Sequence, residues 1–287
     1  MHANNSFRSF PVVGLAVFPF LFLFVYSCAT GPSGPAEGTP AWYWQNALTT
    51  WEAGDYQKTS DNLEQLIEPG SEFADRAQPW RLILTAGMAK GLMDVAEAFE
   101  NGARANQAAS AEFRMHRNNY RTMVNKQVSA FWKTFVAYKK SNPAGDIPLA
   151  FPYPQGSAVA VAALSRIGEG IRLTEAELPA AERQAVQRAV LLATCRFVGA
   201  EEDTAKTQQI FAAGDVKVPK DAFNFALAKT INEIAWFYSA YEMDQPDRLK
   251  MLNEQALELA KTLPENDETK ELIRQIESHI KEAEKRL

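Results

Sequence analysis

Residues 41–67 read Ala41-Trp-Tyr43-Trp-Gln-Asn-Ala47-Leu-Thr-Thr-Trp51-Glu-Ala-Gly54-Asp55-Tyr56-Gln-Lys58-Thr59-Ser-Asp-Asn-Leu-Glu-Gln-Leu66-Ile67. Apolar residues recur at spacings of three and four on both sides of Gly54, the period of amphipathic helices. Gly54 stands where the first helix must stop. Two short helices broken at a glycine predict an antiparallel helix pair.

The same texture continues to the C-terminus. Periodic segments run about 41–53, 55–67, 71–105, 108–141, 157–173, 179–198, 201–213, 219–243, 246–262 and 267–286, and Gly or Pro separates them. Gly199 and Gly214 stand at further stops, and Pro179, Pro219 and Pro246 at first-turn positions that need no amide donor. No stretch shows sustained β-branched alternation of period two. The sequence therefore predicts an all-α protein. Its last helix carries Leu272, Ile273, Ile276, Ile280, Ala283 and Leu287 on one face and Lys and Glu elsewhere, as a terminal capping helix requires.

Aligned on glycines, Gly54 falls with Thr59 and Leu66, Gly91 with Ala96 and Ala103, and Gly199 with Thr204 and Phe211. Tyr43 and Trp80 lie eleven residues before the first two glycines. This pattern resembles the tetratricopeptide repeat, most closely over Trp51–Lys58. It departs from that family in lacking the closing proline, in Arg188 where an aromatic belongs, and in Leu84 and Leu192 where helix A has a small residue. The resemblance implies antiparallel helix pairs stacked as a right-handed superhelix; ordinary pairs in a helical bundle are the alternative. The expected organisation is an N-terminal helical lobe (41–142), a Pro-rich loop (143–156) and a C-terminal lobe (157–287).

Ahead of this body, residues 1–27 hold one charge, Arg8, and the apolar run Val12–Tyr26. About 15 apolar residues is short for a membrane span and suits a signal-peptide core; an uncleaved anchor helix is the alternative. Val25-Tyr26-Ser27-Cys28 resembles the lipobox of bacterial lipoproteins, although Tyr26 replaces the usual small residue. That resemblance implies an acylated Cys28 as the mature N-terminus, with residues 28–40, rich in Gly and Pro, as a flexible tether. Ala29 after the cysteine resembles the outer-membrane class. The expected location is the cell envelope, outer membrane facing the periplasm in a Gram-negative cell.

The 287 residues, 46% hydrophobic and 23% charged, exclude a disordered chain and leave ample material for a core. With Cys28 acylated, Cys195 has no partner for a disulfide and reads as a buried thiol. No clustered metal ligands, Gly-x-Ser-x-Gly elbow, phosphate loop or dinucleotide fingerprint occurs, so neither cofactor nor metal is expected. An enzyme would need Glu169, Glu233 or His116 to converge in a cleft, and the expectation is that this protein is not one.

Charge gives the remaining hints. The net of −5 hides an acidic stretch, 41–107, with ten acids against five bases, and a basic one, 108–142. The latter carries Arg114, Arg117, Arg121, Lys126, Lys133, Lys139 and Lys140 against Glu112 alone. Its basic face either answers the acidic stretch in solvent, docks an acidic protein, or meets anionic lipid; nucleic acid is not expected in this compartment. Its apolar stripe, Phe113, Tyr120, Val124, Val128, Phe131, Phe135 and Tyr138, reads as core. In the loop, Phe151 and Tyr153 between prolines either cover a groove or plug the core. Arg166, Glu169 and Arg172 are spaced for mutual pairing, as are Lys229 and Glu233.

The reading is a lipid-anchored scaffold or adaptor that binds an envelope protein or peptide, with Arg114, Arg117, Arg121, Phe151 and Tyr153 as candidate binding residues. The order of lipobox, tether and long helices also resembles the T-component lipoproteins of TRAP-type transporters. That resemblance implies the alternative of an accessory protein of solute transport holding a small apolar ligand.

Overall fold

In the computed structural model, which describes residues 34–287, the first helix begins where Thr39 accepts the amide of Trp42 at 3.3 Å and Pro40 takes the first position. This helix, α1 (Pro40–Glu52), turns back at Gly54, whose φ of +72° suits a residue without a β-carbon. Asp55 then caps α2 (Tyr56–Glu64) through the amide of Lys58. The expected pair is thus present.

Two 32-residue helices follow, α3 (Ala74–Ala105) and α4 (Ser110–Ser141). Glu100 pairs with Arg117 and Arg81 with Thr134; one number falls as the other rises, so the helices are antiparallel. Arg81 ties three helices together although it is only 1% exposed. Its guanidinium donates to Ser60 O and Glu64 Oε2 of α2 and to Ala130 O and Thr134 Oγ1 of α4. Each nitrogen of this buried cation has an acceptor, which makes its burial tolerable.

The chain continues through β1 (Ile147–Pro148), α5 (Ala162–Gly168), α6 (Glu177–Phe197), α7 (Thr204–Ala212), β2 (Lys217–Val218), α8 (Lys220–Trp236), α9 (Pro246–Ala260) and α10 (Asp267–Glu284). The protein is all-α apart from one ribbon, in which β1 and β2 pair antiparallel with Ile147 opposite Val218. Two-residue strands leave no alternation to read, so the ribbon has no signature in the sequence. The helix expected over 157–173 shrinks to α5, because Pro154, Gly156 and the small residues after them give its start neither cap nor apolar stripe. The helix expected to reach 243 ends at Trp236; the bulky run Trp236-Phe237-Tyr238 closes into turns, with Gln245 N bonded back to Tyr238 O. Pro179 falls at the third position of α6 and Pro219 caps α8; Pro246 opens α9 as expected.

Gly91 corrects the repeat alignment. It lies in mid-α3 and closes no turn; with Gly87 it lets α6 approach. A β-carbon at Gly91 would sit 2.6 Å from Val186 Cα, and one at Gly87 2.5 Å from Val190 Cα. Glycine inside a helix costs about 1 kcal/mol relative to alanine, and here it permits contact with the backbone of α6.

Residues 35–287 form one compact unit, and α3, from the first half, packs along both α4 and α6. Trp51, Trp80, Phe135, Phe151, Phe223 and Ile276 belong to one hydrophobic cluster, so the two helical lobes share a core. The stripe of α4 is buried as expected, and Cys195 is buried and free. Helix α8 is buried on several sides through Phe223, Ile231 and Ile234, whereas Tyr241 beyond it is 77% exposed. On α10, Leu272, Ile276 and Ala283 face the core and Leu287 is exposed. Among the described residues no helix is long and apolar enough to cross a membrane. The expected signal segment 1–27, Cys28 and the tether as far as residue 33 lie outside the described residues.

Candidate functional site

The basic face of α4 is the first candidate. Arg117 pairs with Glu100 of α3, Arg121 with Glu242 at 3.3 Å, Lys133 with Glu64 of α2 at 2.8 Å and Lys139 with Glu258 of α9 at 2.9 Å. Glu112 is taken by Arg172. Arg114, Lys126 and Lys140 are exposed. Four cations of this helix are therefore answered by acids from other elements, two of them from the acidic first stretch. Lys133 and Arg81 together hold the Glu64 carboxyl below its ordinary range, with the Lys133 hydrogen bond as the largest cause.

Phe151 and Tyr153 come next. Phe151 is 5% exposed, stacked on Trp80 at 5.3 Å between Trp51 and Phe211. The loop is stitched across the first helix pair: Trp51 Nε1 donates to Pro152 O at 2.9 Å, Tyr56 OH to Gln155 O, and Gln155 Nε2 to Glu52 O. Phe151 thus plugs the core. Tyr153 is half-buried against Phe211, its hydroxyl donating to Thr204 O, and forms one wall of an open apolar groove of about 600 Å³.

The residues named for a possible enzyme are not brought together. His116 stacks on Phe99 at 4.8 Å, Glu169 is exposed beyond α5, and Glu233 pairs with Arg196. No group of three metal-ligating side chains occurs among the described residues. Both same-helix pairings fail: Arg166 pairs with Glu177 and Arg172 with Glu112, and Lys229 loses Glu233 to Arg196. Tertiary packing gives Arg166, Arg172 and Glu233 partners that spacing along one helix cannot reveal.

Of these reshuffled charges, Arg196, Lys229 and Glu233 line a cleft of about 440 Å³ where α3, α6 and α8 meet. Helical spacing puts Lys90 and Asp94 on one face of α3, Arg188, Leu192 and Arg196 on one face of α6, and Lys229 and Glu233 on one face of α8. Glu201 and Glu202, in the turn after α6, stand at the rim, and Ala86, Gly87, Ala189 and Ala193 keep the walls low. Four cations and four carboxylates face one space. Burial alone would lower the Lys90 ammonium, but Asp94, Glu97 and Glu233 outweigh it and hold it above the ordinary lysine value. The Glu97 carboxyl beside it is raised by burial. Two further hollows share walls with this cleft. One, toward α5, shares Lys90, Asp94 and Arg188; the other, toward the start of α10, shares Arg196, Glu201 and Lys229. Together they form a polar trough.

In the sequence Lys90 and Asp94 stand out only as members of the charged stretch 41–107, and Arg188 only as a departure from a repeat. The usable signal is three helices each carrying charges four or eight residues apart beside small residues. Compared with known proteins, the chain matches no family model, no curated protein and no solved structure.

Proposed function

We propose that this protein is a lipid-anchored, extracytoplasmic helical scaffold that holds a peptide in the trough over α3, α6 and α8. The observation that carries this reading is the continuity of three hollows sharing charged walls, which suits an extended polar ligand better than a flat surface does. The lipobox-like Val25–Cys28 and the Gly/Pro tether support an envelope location, with the acyl chains of Cys28 as the membrane contact. The alternative, an accessory role in solute transport, draws support from the central hollow, whose volume suits a single small ligand. Its charged walls favour a polar ligand over an apolar one.

The test places a photo-crosslinking amino acid at Ala193, in the trough, or at Arg114, on the exposed side of α4, in the full chain expressed in its membrane. Intact-mass spectrometry after illumination should show a discrete increment at position 193 and none at 114, along with an acylated Cys28. An increment at 114 alone, or at neither position, overturns the scaffold reading, and an unmodified Cys28 overturns the anchor.

A further inference from the structure

The central cleft keeps charges that the fold itself does not use. Lys90 pairs with Asp94 and Arg196 with Glu233, while among the described residues Arg188 and Lys229 have no carboxylate partner and Glu201 and Glu202 no cation. Arg188 donates through its Nε to Ala158 O at 2.9 Å, which leaves both terminal nitrogens of the guanidinium for another acceptor. Thr230 of α8 also belongs to the lining of this cleft. Thr230 is 4% exposed, and its hydroxyl is buried without a hydrogen-bond partner. An unsatisfied buried hydroxyl costs roughly 1–3 kcal/mol unless something completes it. Leu192, Ile234 and Phe237 give the cleft an apolar wall beside these groups.

We propose that the cleft binds a zwitterion of amino-acid or dipeptide size with an apolar side chain. The carboxylate meets Arg188 and Lys229, the ammonium faces Glu201 and Glu202, and the Thr230 hydroxyl completes the carboxylate's hydrogen bonds. A zwitterion fits because the leftovers are two of each sign: a simple anion would leave Glu201 and Glu202 facing added negative charge, and a simple cation would do the same to Arg188 and Lys229. Pockets of about 300–1,000 Å³ hold small molecules, and the cleft falls within that range. The inference rests on the trough being the binding site proposed above and adds the chemistry that the site selects.

The test is calorimetric titration of the full-length chain in detergent with leucine, leucyl-leucine, N-acetylleucine and leucinamide. At least one of the two zwitterions should bind, and which of them does separates a free amino acid from a peptide. N-acetylleucine, lacking the ammonium, and leucinamide, lacking the carboxylate, should each bind at least about tenfold more weakly. Arg188→Gln should weaken the zwitterion by about tenfold. Thr230→Val should weaken it while leaving the urea midpoint unchanged or higher, because the variant loses only an unsatisfied hydroxyl. N-acetylleucine binding as tightly as leucine, or an unchanged affinity in both variants, overturns the proposal. Absence of binding by either zwitterion, with crosslinking at position 193 still observed, overturns this inference and leaves the scaffold reading standing. Zwitterion binding with no peptide increment at 193 does the reverse.

Discussion

Helix α4 and the cleft over α3, α6 and α8 both gather charge, and they dispose of it differently. On α4, seven cations crowd one helix, and four of them are answered by acids from α2, α3, the turn after α8 and α9. The three α4 cations left over, Arg114, Lys126 and Lys140, face open solvent, whereas in the cleft charges of both signs are balanced in number and, among the described residues, two cations and two acids without ionic partners line one enclosed space. Net charge along a segment is therefore a poor guide to where charges of both signs stay unpaired in one enclosed space. A concentrated run of one sign attracts the rest of the fold, whereas residual charge collects where the backbones meet but the side chains do not.

The comparison breaks most sharply at Arg81. It lies on α3, and its donors hold α2 and α4 in place. Arg81→Ala should cost about 3–5 kcal/mol, the range for removing one member of a buried, fully hydrogen-bonded charge network. Urea unfolding measures this, and a loss below about 1 kcal/mol would show that charge on the α4 side does not hold the fold together. A pH effect should accompany the loss. Glu64 is held below its ordinary range in the folded chain, so its contribution is present above about pH 4.5 and is lost as pH falls through the folded value. The variant should show a smaller acid-dependent loss than the parent.

A smaller effect separates Arg121 from Arg188. Arg121 and Glu242 are both mostly buried, so Arg121→Ala should lower stability by about 1 kcal/mol and couple to Glu242→Gln in a double-mutant cycle. Arg188→Gln should change stability by less than about 0.5 kcal/mol, the ordinary range for a residue outside the packed core. Equal losses at the two positions would erase the distinction between an arginine that builds the fold and one left for a ligand.

The fold was legible in the sequence to the extent that it is local. The helix pair at Gly54, the length of the basic helix and the apolar stripe of α10 follow from periodicity and punctuation within a few turns. Gly91 was not legible in this sense, because its reason is the backbone of Val186, distant in sequence. The end of α8 was missed because no Gly or Pro stands between Trp236 and Pro246. The cleft was missed because each of its walls resembles an ordinary solvated helix face, and only the close approach of α3 and α6 brings them together. Phe151 was recognised as held by prolines, but whether it covers or plugs depended on Trp51 and Trp80.

The smallest effect tests whether α8 keeps its two duties apart, since one side lines the cleft and an adjoining side meets α10. His279 of α10 lies against Trp236 at 4.4 Å, and its Nδ1 is 2.7 Å from the Asn232 side-chain oxygen. Burial lowers the affinity of this imidazole for a proton, against a smaller pull from Glu282. The unfolded chain therefore takes up the proton near pH 6.5 and the folded chain only at lower pH. Stability is full above about pH 6.5, falls as the pH drops through the window between the two values, and levels off beneath it. His279→Gln keeps a polar partner for Asn232 without that titration, so the difference in urea midpoint between pH 7.5 and 5.5 should shrink. Ligand affinity at pH 7.5 should stay unchanged, because Thr230 is on the opposite side of α8 from Asn232 and neither His279 nor Asn232 lines the cleft. A shift in affinity matching the shift in midpoint would show that the core face and the cleft face act as one unit, and the contrast between charge that builds the fold and charge that serves a ligand would fail on this helix.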